Sequence, residues 1–436
     1  MKLPILNNDR ATLSSDIKQI IDTESADNSW LKDIRLKALS NFIDQPFPNR
    51  KTEHWKYNDM SFLGSEASIS EKTSDIPTFS TSYVELDEPI SLALVSGRYS
   101  QQLSPKVNEK GISVTNFADA NKEQIEIISS SLEAAKQNKN SLIHFSTSIS
   151  QNGLLIEIED NIKIERPIYI HNANYPADNS TILPHQVVIH CGSNSQCQIV
   201  EHFTSIDERS GFFLQQSIIY MSDNSQVDYS RINLDGAISR QVNRVLFLLQ
   251  KRTVLQSFYY SEGSQLNKTD IDVYHQGEHS ESQITGIYLP SENKVVDYHL
   301  NVEHQVANCT SREAFRGIIA DSAKATFNGK IHIFKDAQKS DAQLSNKNLL
   351  LTNQAEINTK PELEIYADDV VCAHGATVAK IDDKAIYYLQ TRGIDKTRAK
   401  KMLSIGFINE LLEQVKNKEL NSFLTERVQT CLSDIK

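Results

Sequence analysis

Apolar and polar side chains alternate in short runs from about residue 150 to about residue 380. In the run from 325 to 334, one set of alternate positions is apolar and the other is polar. The apolar set is Ala325, Phe327, Ile331 and Ile333, and the polar set is Thr326, Asn328, Lys330 and His332. A period of two predicts a strand with one buried face. Similar runs occupy residues 154–158, 187–190, 242–249 and 257–260.

Polar residues, rather than glycine and proline, separate these runs. The chain has just 15 glycines and 11 prolines, and no convincing helical pattern interrupts this region. Tight hairpins built on Asn-Gly or Pro-Gly are therefore not the linking device. Many short strands with Asn, Ser, Asp and Gln at their corners favour a solenoid of parallel coils. A β-sandwich is the alternative, because no fixed repeat length is evident.

The N-terminal part is predicted to be helical and mixed. Residues 31–42 carry apolar side chains at helical spacing, and Pro46 ends that helix. The aromatic cluster His54-Trp55-Lys56-Tyr57 follows; it is interpreted as local core, with a docking surface as the alternative. The remaining patterns predict a loop over residues 66–90, a strand over 90–95 and a helix over 121–137.

The C-terminal residues are predicted to form helices again. Asp382 or Asp383 can cap one helix, Gly393 can end it, and Asp395 can cap the next. One apolar stripe follows at every fourth position, formed by Leu403, Phe407, Leu411 and Val415. Because so short a tail has little mass for a core of its own, part of this stripe is expected to face a partner protein.

The 436-residue chain is therefore divided into three predicted regions. Residues 1–148 form a helical and mixed region, residues 149–380 a parallel β-helix core, and residues 381–436 a helical region. The predicted fold class is mainly β.

Charge and composition narrow the function classes. The net charge is −11, with 39% hydrophobic and 23% charged residues, so nothing favours a nucleic-acid or anionic-membrane partner. No apolar run approaches the ~18 residues of a membrane span, and the N-terminus has no stretch of signal-peptide length. Five irregularly spaced cysteines do not form a disulfide framework and fit a reducing compartment. The sequence predicts a cytoplasmic protein.

Several common catalytic and nucleotide-binding motifs are missing from the sequence. There is no P-loop, no dinucleotide-binding glycine motif and no nucleophile elbow, so ATP hydrolysis through a P-loop is not expected. Cys191 and Cys197 are interpreted as solenoid interior rather than as part of a metal cluster. The pair Asp368-Asp369 is interpreted as a turn. A catalytic carboxylate pair in a β-helical carbohydrate-active enzyme is the alternative from another class.

Cys372 and His374 are the most informative pair in the chain. In an extended segment their side chains point to one face, roughly 7 Å apart along the strand. A thiolate and an imidazole on one face suit iron or zinc. Two ligands leave a tetrahedral site incomplete, so the rest of any site must come from elsewhere. The structural alternative is a buried cysteine and a hydrogen-bonded histidine at a turn.

The region from His299 to about Val415 resembles the SufB/SufD family of iron–sulfur cluster assembly proteins. The segment His54-Trp55-Lys56-Tyr57 and the three-region layout are similar to the family as well. The matching stretches are 308–312, 327–331, 336–342, 348–351, 360–370, Cys372-Ala373-His374-Gly375-Ala376-Thr377 and Tyr388-Leu389-Gln390-Thr391-Arg392-Gly393-Ile394. Within the family, the Cys-x-His-Gly-Ala-Thr form resembles the SufD branch, and a SufB-like cluster carrier is the alternative.

The resemblance implies a fold, partners and site residues. It implies a right-handed parallel β-helix flanked by helical regions, in a complex with a SufB-type subunit and a SufC-type ATPase. It implies no tightly bound cofactor but a transient iron or Fe–S cluster at the SufB interface, with His374 and Cys372 as metal ligands. The C-terminal region is expected to contact the ATPase, and a homodimer of the isolated chain is left open. The expected contact residues are Arg392, Gly393, Phe407 and Leu411.

Overall fold

The computed structural model describes residues 2–4, 10–24, 29–64, 66–69, 84–135 and 140–434. It is mainly β, with 42% strand and 26% helix, and consists of a parallel β-solenoid of about 8 turns with helices at both termini. The helices are α1 (Arg10–Glu24), α2 (Ser29–Asp44), α3 (Lys122–Ala134), α4 (Ser141–Ile149), α5 (Asp383–Thr391), α6 (Lys396–Leu412) and α7 (Lys418–Asp434).

Two sheets form the walls of the solenoid, and the chain alternates between them. Sheet A contains β1 (Lys2–Pro4), β2 (Glu66–Ile69), β5 (Ile112–Asn116), β6 (Leu154–Ile158), β8 (Thr181–Cys191), β10 (Phe212–Met221), β12 (Arg240–Leu249), β14 (Leu266–His275), β16 (Val295–His304), β18 (Lys324–Ile333) and β20 (Glu356–Ile365). Sheet B contains β3 (Ile90–Val95), β4 (Arg98–Tyr99), β7 (Ile168–Asn174), β9 (Gln196–Ser205), β11 (Gln226–Leu234), β13 (Val254–Ser261), β15 (Glu281–Tyr288), β17 (Thr310–Ile319), β19 (Asp341–Leu350) and β21 (Val371–Lys380).

The strand pairing decides between the two predicted architectures. From β6 onward, neighbouring strands within each sheet are parallel, as stacked coils require. Among the described strands, antiparallel pairs are confined to β1 with β2, β3 with β4, and β5 with β6, and a single isolated antiparallel bridge joins Ser264 to Val295. The solenoid prediction is therefore confirmed and the sandwich alternative is wrong. Ile331 and Ile333, predicted to lie inside, are both fully buried.

The corners of the coils explain why no fixed repeat length is visible in the sequence. Each successive coil has a residue with positive φ at the same corner. Asparagine tolerates that backbone conformation better than most residues. The intervals between these corner residues range from 27 to 33, so the coils differ in length. The corner residues are Asn161, Asn194, Asn224, Arg252, His279, Asn308 and Lys339.

The N-terminal region is joined to the solenoid rather than separate from it. Strand β3, predicted from residues 90–95, pairs with β7 in sheet B. Residues 66–69 form β2, so the predicted loop over 66–90 is wrong at its start; residues 70–83 of it lie outside the described part. Helix α3 begins after the N-cap Asn121 as predicted, while residues 136–137 lie outside the described part.

The C-terminal helices pack on the outer face of sheet B. Asp382 and Asp395 cap α5 and α6, and Gly393 adopts a positive φ of 83° between them. Leu411, Val415 and residues of α7 form one buried cluster with side chains of sheet B, among them Tyr260 and Ile318. The solenoid therefore supplies the core that the tail lacks. No helix within the described ranges is long and apolar enough to cross a membrane.

Candidate metal half-site on the last coil

Cys372 and His374 lie on β21, the last strand of sheet B. The backbone of Cys372 is in register with Ala342, and that of His374 with Leu344, on β19. Both are extended, as the sequence predicts. Ala342 and Leu344 are buried in the solenoid interior, so in-register Cys372 and His374 point to the interior side as well. Because no further described coil covers them, His374 is exposed and Cys372 is half-buried.

The thiol of Cys372 is not activated by its surroundings. Partial burial is the largest effect and raises its pKa; a hydrogen bond with the Ala342 backbone opposes this, and the nearby acidic residues Asp341 and Glu313 raise the pKa slightly further. The thiol is therefore protonated at neutral pH and must lose its proton to bind a metal. A metal ion or a cationic partner group placed beside it would favour that loss.

Glu313 is an unusual neighbour that the sequence reasoning missed. It lies on β17 in register with Leu344 and, through it, with His374. It is buried, and neither carboxylate oxygen has a well-formed hydrogen bond to a described residue. Desolvation raises its pKa to about 8 despite the opposing effects of Ser311 and Arg312. An acidic residue on the interior side of an alternating run is the signal that could have revealed it.

The last coil leaves two strand edges open. Strands β20 and β21 are each 10 residues long, and within the described ranges neither has a partner on its outer side. Apolar side chains are exposed along these strands and the turn between them: Ile365, Tyr366, Val371 and Val378, with Val371 63% exposed. Long, apolar, unpaired edges attract a further strand unless a partner covers them. This end of the solenoid therefore has the properties of an interface.

The other predicted site residues have structural roles. Cys191 and Cys197 are buried in the interior with their sulfur atoms 4.0 Å apart, as expected. Asp369 lies in a turn, where its backbone N–H donates to Gln338 Oε1 at 2.9 Å.

The residues expected to contact an ATPase separate into two groups. Leu411 is 1% exposed in the cluster with sheet B, so its expected exposure on a partner-facing stripe is wrong; Phe407 is half-buried at the edge of that cluster. Arg392 and Gly393 are exposed. Beside them lies an aromatic surface that sequence reasoning missed, with Tyr387 69% and Tyr388 58% exposed.

Comparison with known proteins explains this combination of features. A profile described as the SufBD core domain of SUF-system FeS cluster assembly matches residues 172–407, and one described as the SufBD protein N-terminal region matches residues 7–170. The chain belongs to the SufB/SufD family. Within this family it is most like SufD, which confirms the resemblance in the sequence motifs. SufB/SufD membership assigns the chain to iron–sulfur cluster assembly.

Individual relatives match this chain over nearly their full length. The chain is 27% identical to the iron-sulfur cluster assembly protein SufD of Escherichia coli strain K12, over 89% of this chain and 90% of the relative. It is 24% identical to the protein of the same name from Bacillus subtilis strain 168, over 92% and 94%. It is 22% identical to the chloroplastic protein ABCI7 of Arabidopsis thaliana, over 96% and 90%.

Proposed function

We propose that this chain is a scaffold subunit of a SufBCD-type complex. In this proposal it supports iron acquisition and nascent cluster formation at its interface with a SufB-type subunit. It carries no catalytic site of its own, and the ATPase of the complex is a separate SufC-type chain. The complex acts in the cytoplasm, with cargo bound transiently rather than as a resident cofactor.

The observation that carries the proposal is an incomplete ligand pair on an open strand edge. Cys372 and His374 share one face of β21, and no third metal-ligating side chain of the described residues joins them in a cluster. A SufB-type partner that covers the edge can supply the missing ligands at the same place. An imidazole in place of a thiolate holds a cluster less tightly, which suits a scaffold that must pass its cargo on.

Association through the open end can be tested separately from metal chemistry. In co-expression with SufB- and SufC-type chains, Val371→Lys is expected to abolish capture of the SufB-type chain, because a charge on the edge opposes strand pairing. Ile238→Lys is the matched control, since Ile238 is 45% exposed in a loop of an earlier coil. Undiminished capture by the Val371 variant would contradict the proposed interface.

The SufB-like alternative makes a different prediction for the isolated chain. After anaerobic reconstitution with iron and sulfide, a cluster carrier retains a coloured cluster as a single subunit. The scaffold proposed here retains none without its partner. Gel filtration of the same sample shows whether the isolated chain pairs with a second copy through its open end.

The ATPase contact is proposed to lie on the exposed surface of α5 and the following turn. Tyr387, Tyr388, Arg392 and Gly393 form this surface, and the guanidinium of Arg392 lies 5.3 Å from the Tyr388 ring centre. Exposed aromatic and arginine side chains are the usual anchors of protein interfaces. Phe407 contributes at the margin, and Leu411 acts indirectly by fixing α6 to the solenoid.

A pair of alanine variants separates these two roles. Tyr387→Ala is expected to weaken ATPase binding by about 2 kcal/mol, roughly 30-fold, without changing the unfolding temperature. Leu411→Ala leaves a cavity between α6 and sheet B and is expected to lower the free energy of unfolding by about 3 kcal/mol. Binding titration and thermal unfolding of both variants check this. A Tyr387 variant that binds normally would remove α5 from the contact.

A further inference from the structure

A second group of metal-ligating side chains lies where the N-terminal region covers sheet A. A single 3-10 turn, Glu53–Trp55, rests on the outer face of the sheet with Trp55 buried. Asp270 on β14 and His299 on β16 are register partners beneath it. His54, Asp270 and His299 each point a ligand atom into one space, and these atoms all lie within 4.8 Å of one another.

The ligand atoms of this group are spaced almost as they would be around a bound metal ion. His54 Nε2 lies 3.2 Å from Asp270 Oδ2, and the His54 and His299 ring centres are 4.3 Å apart. Donor atoms around a metal with bonds of about 2.1 Å stand roughly 3.0 to 3.5 Å apart. Small side-chain rotations that shorten the widest distance between ligand atoms by about an ångström would therefore be sufficient to place all three around one ion. Asn140 donates from Nδ2 to Asp270 Oδ2 at 2.9 Å, which orients the carboxylate.

Two buried amide oxygens beside the group lack hydrogen bonds. Asn58 Oδ1 has no hydrogen-bond partner among the described residues, and Asn58 is 2% exposed. Asn328, in register with His299 on β18, has a buried Oδ1 in the same condition. Buried acceptors without donors are costly, and a cation at this place would satisfy them.

One lysine already provides part of the compensating charge. Lys268 Nζ lies 3.2 Å from Asp270 Oδ1 and 3.4 Å from Asp297 Oδ2. Asp297 Oδ1 lies 3.0 Å from His299 Nε2. Two carboxylates and one ammonium leave one negative charge uncompensated. The second oxygen of Asp270 faces His54, on the side away from the lysine contact.

We propose that His54, Asp270 and His299 bind a divalent transition-metal ion of the iron-to-zinc series. Two imidazoles and one carboxylate are the ligands of such ions and do not suit calcium or magnesium. The ion would join the N-terminal turn to two strands of sheet A, on the wall opposite the one that carries Cys372 and His374. The site is independent of the function proposed above.

The test uses the full chain with Cys372→Ala and His374→Ala, so that these two residues cannot bind the added metal. Both positions lie on the last strand, which no further described coil covers. After treatment with a chelator, the protein is titrated with Zn²⁺ in calorimetry and with Co²⁺ in visible absorption. One equivalent is expected to bind and to raise the unfolding temperature. Adding His54→Ala is expected to weaken binding at least about 100-fold, because it removes one of three ligands.

His332→Ala is the matched control, since His332 is a partly exposed histidine on the same sheet. It is expected to leave the affinity unchanged. His54 is itself partly exposed on the N-terminal turn, so its loss is compatible with folding, which circular dichroism verifies. Absence of stoichiometric binding in the parent would overturn the proposal. So would equal affinity in the His54 and His332 variants.

Discussion

Replacement of His374 by alanine is expected to abolish cluster maturation in cells while the complex still assembles. His374 is exposed on the interior-facing side of the last strand, where its imidazole can ligate iron brought to the interface. Removal of the ring takes away one of two ligands from this chain but no packing contact of the core. Growth of a strain that lacks the gene, under conditions that demand cluster synthesis, is the measurement.

Two further variants make this result specific. His332→Ala removes a partly exposed histidine from the other sheet and is expected to restore full growth. Cys372→Ala is expected to do less harm than His374→Ala, because a partner thiolate together with His374 can still hold iron. Pull-down of the complex from the same strains must show normal assembly. Full growth of the His374 variant would assign this residue a structural role only.

Replacement of Glu313 by glutamine is expected to remove a pH-dependent loss of stability. The pKa of Glu313 is about 8 in the folded chain, against 4.5 for an ordinary glutamate. The folded state therefore binds more protons than the unfolded state between these values, and stability falls as pH rises through this window. Well above pH 8 the ionised, buried carboxylate costs on the order of 5 kcal/mol.

Denaturant unfolding at pH 5 and pH 9 measures this effect. The parent is expected to lose several kcal/mol more than the Glu313→Gln variant between the two pH values. Glu281→Gln, an exposed glutamate at the start of a neighbouring strand of sheet B, is the control and should follow the parent. Equal pH dependence in the parent and the Glu313 variant would contradict this prediction, because it would show that the folded state stabilises the ionised carboxylate as well as water does.

Much of the fold follows from local patterns in the sequence. Alternation within single runs is enough to predict strands such as β18, and Asp382, Gly393 and Asp395 end or begin helices by local hydrogen bonds and backbone conformation. The placement of Cys372 and His374 on one face of β21 was also predictable, because they are two residues apart on one extended segment. These features depend on residues that are close in sequence.

Features that depend on distant residues could not be predicted in this way. An apolar stripe that includes Leu411 looks the same whether it packs on the chain's own solenoid or on another protein. His54 and His299 meet only because the N-terminal turn folds over sheet A. Coils of 27 to 33 residues conceal the repeat, so the register that stacks Glu313 below His374 is not evident from spacing.

The regular separation between paired strands also constrains the order of folding. Each strand of the solenoid pairs with one about 30 residues earlier, so each new coil can be added onto the edge of the coil before it. Coils can therefore stack in sequence while the chain is being synthesised. The strand with Cys372 and His374 is the last to be added. Because β21 pairs with β19 alone, Cys372 and His374 are held in register only in chains in which the preceding coil has folded.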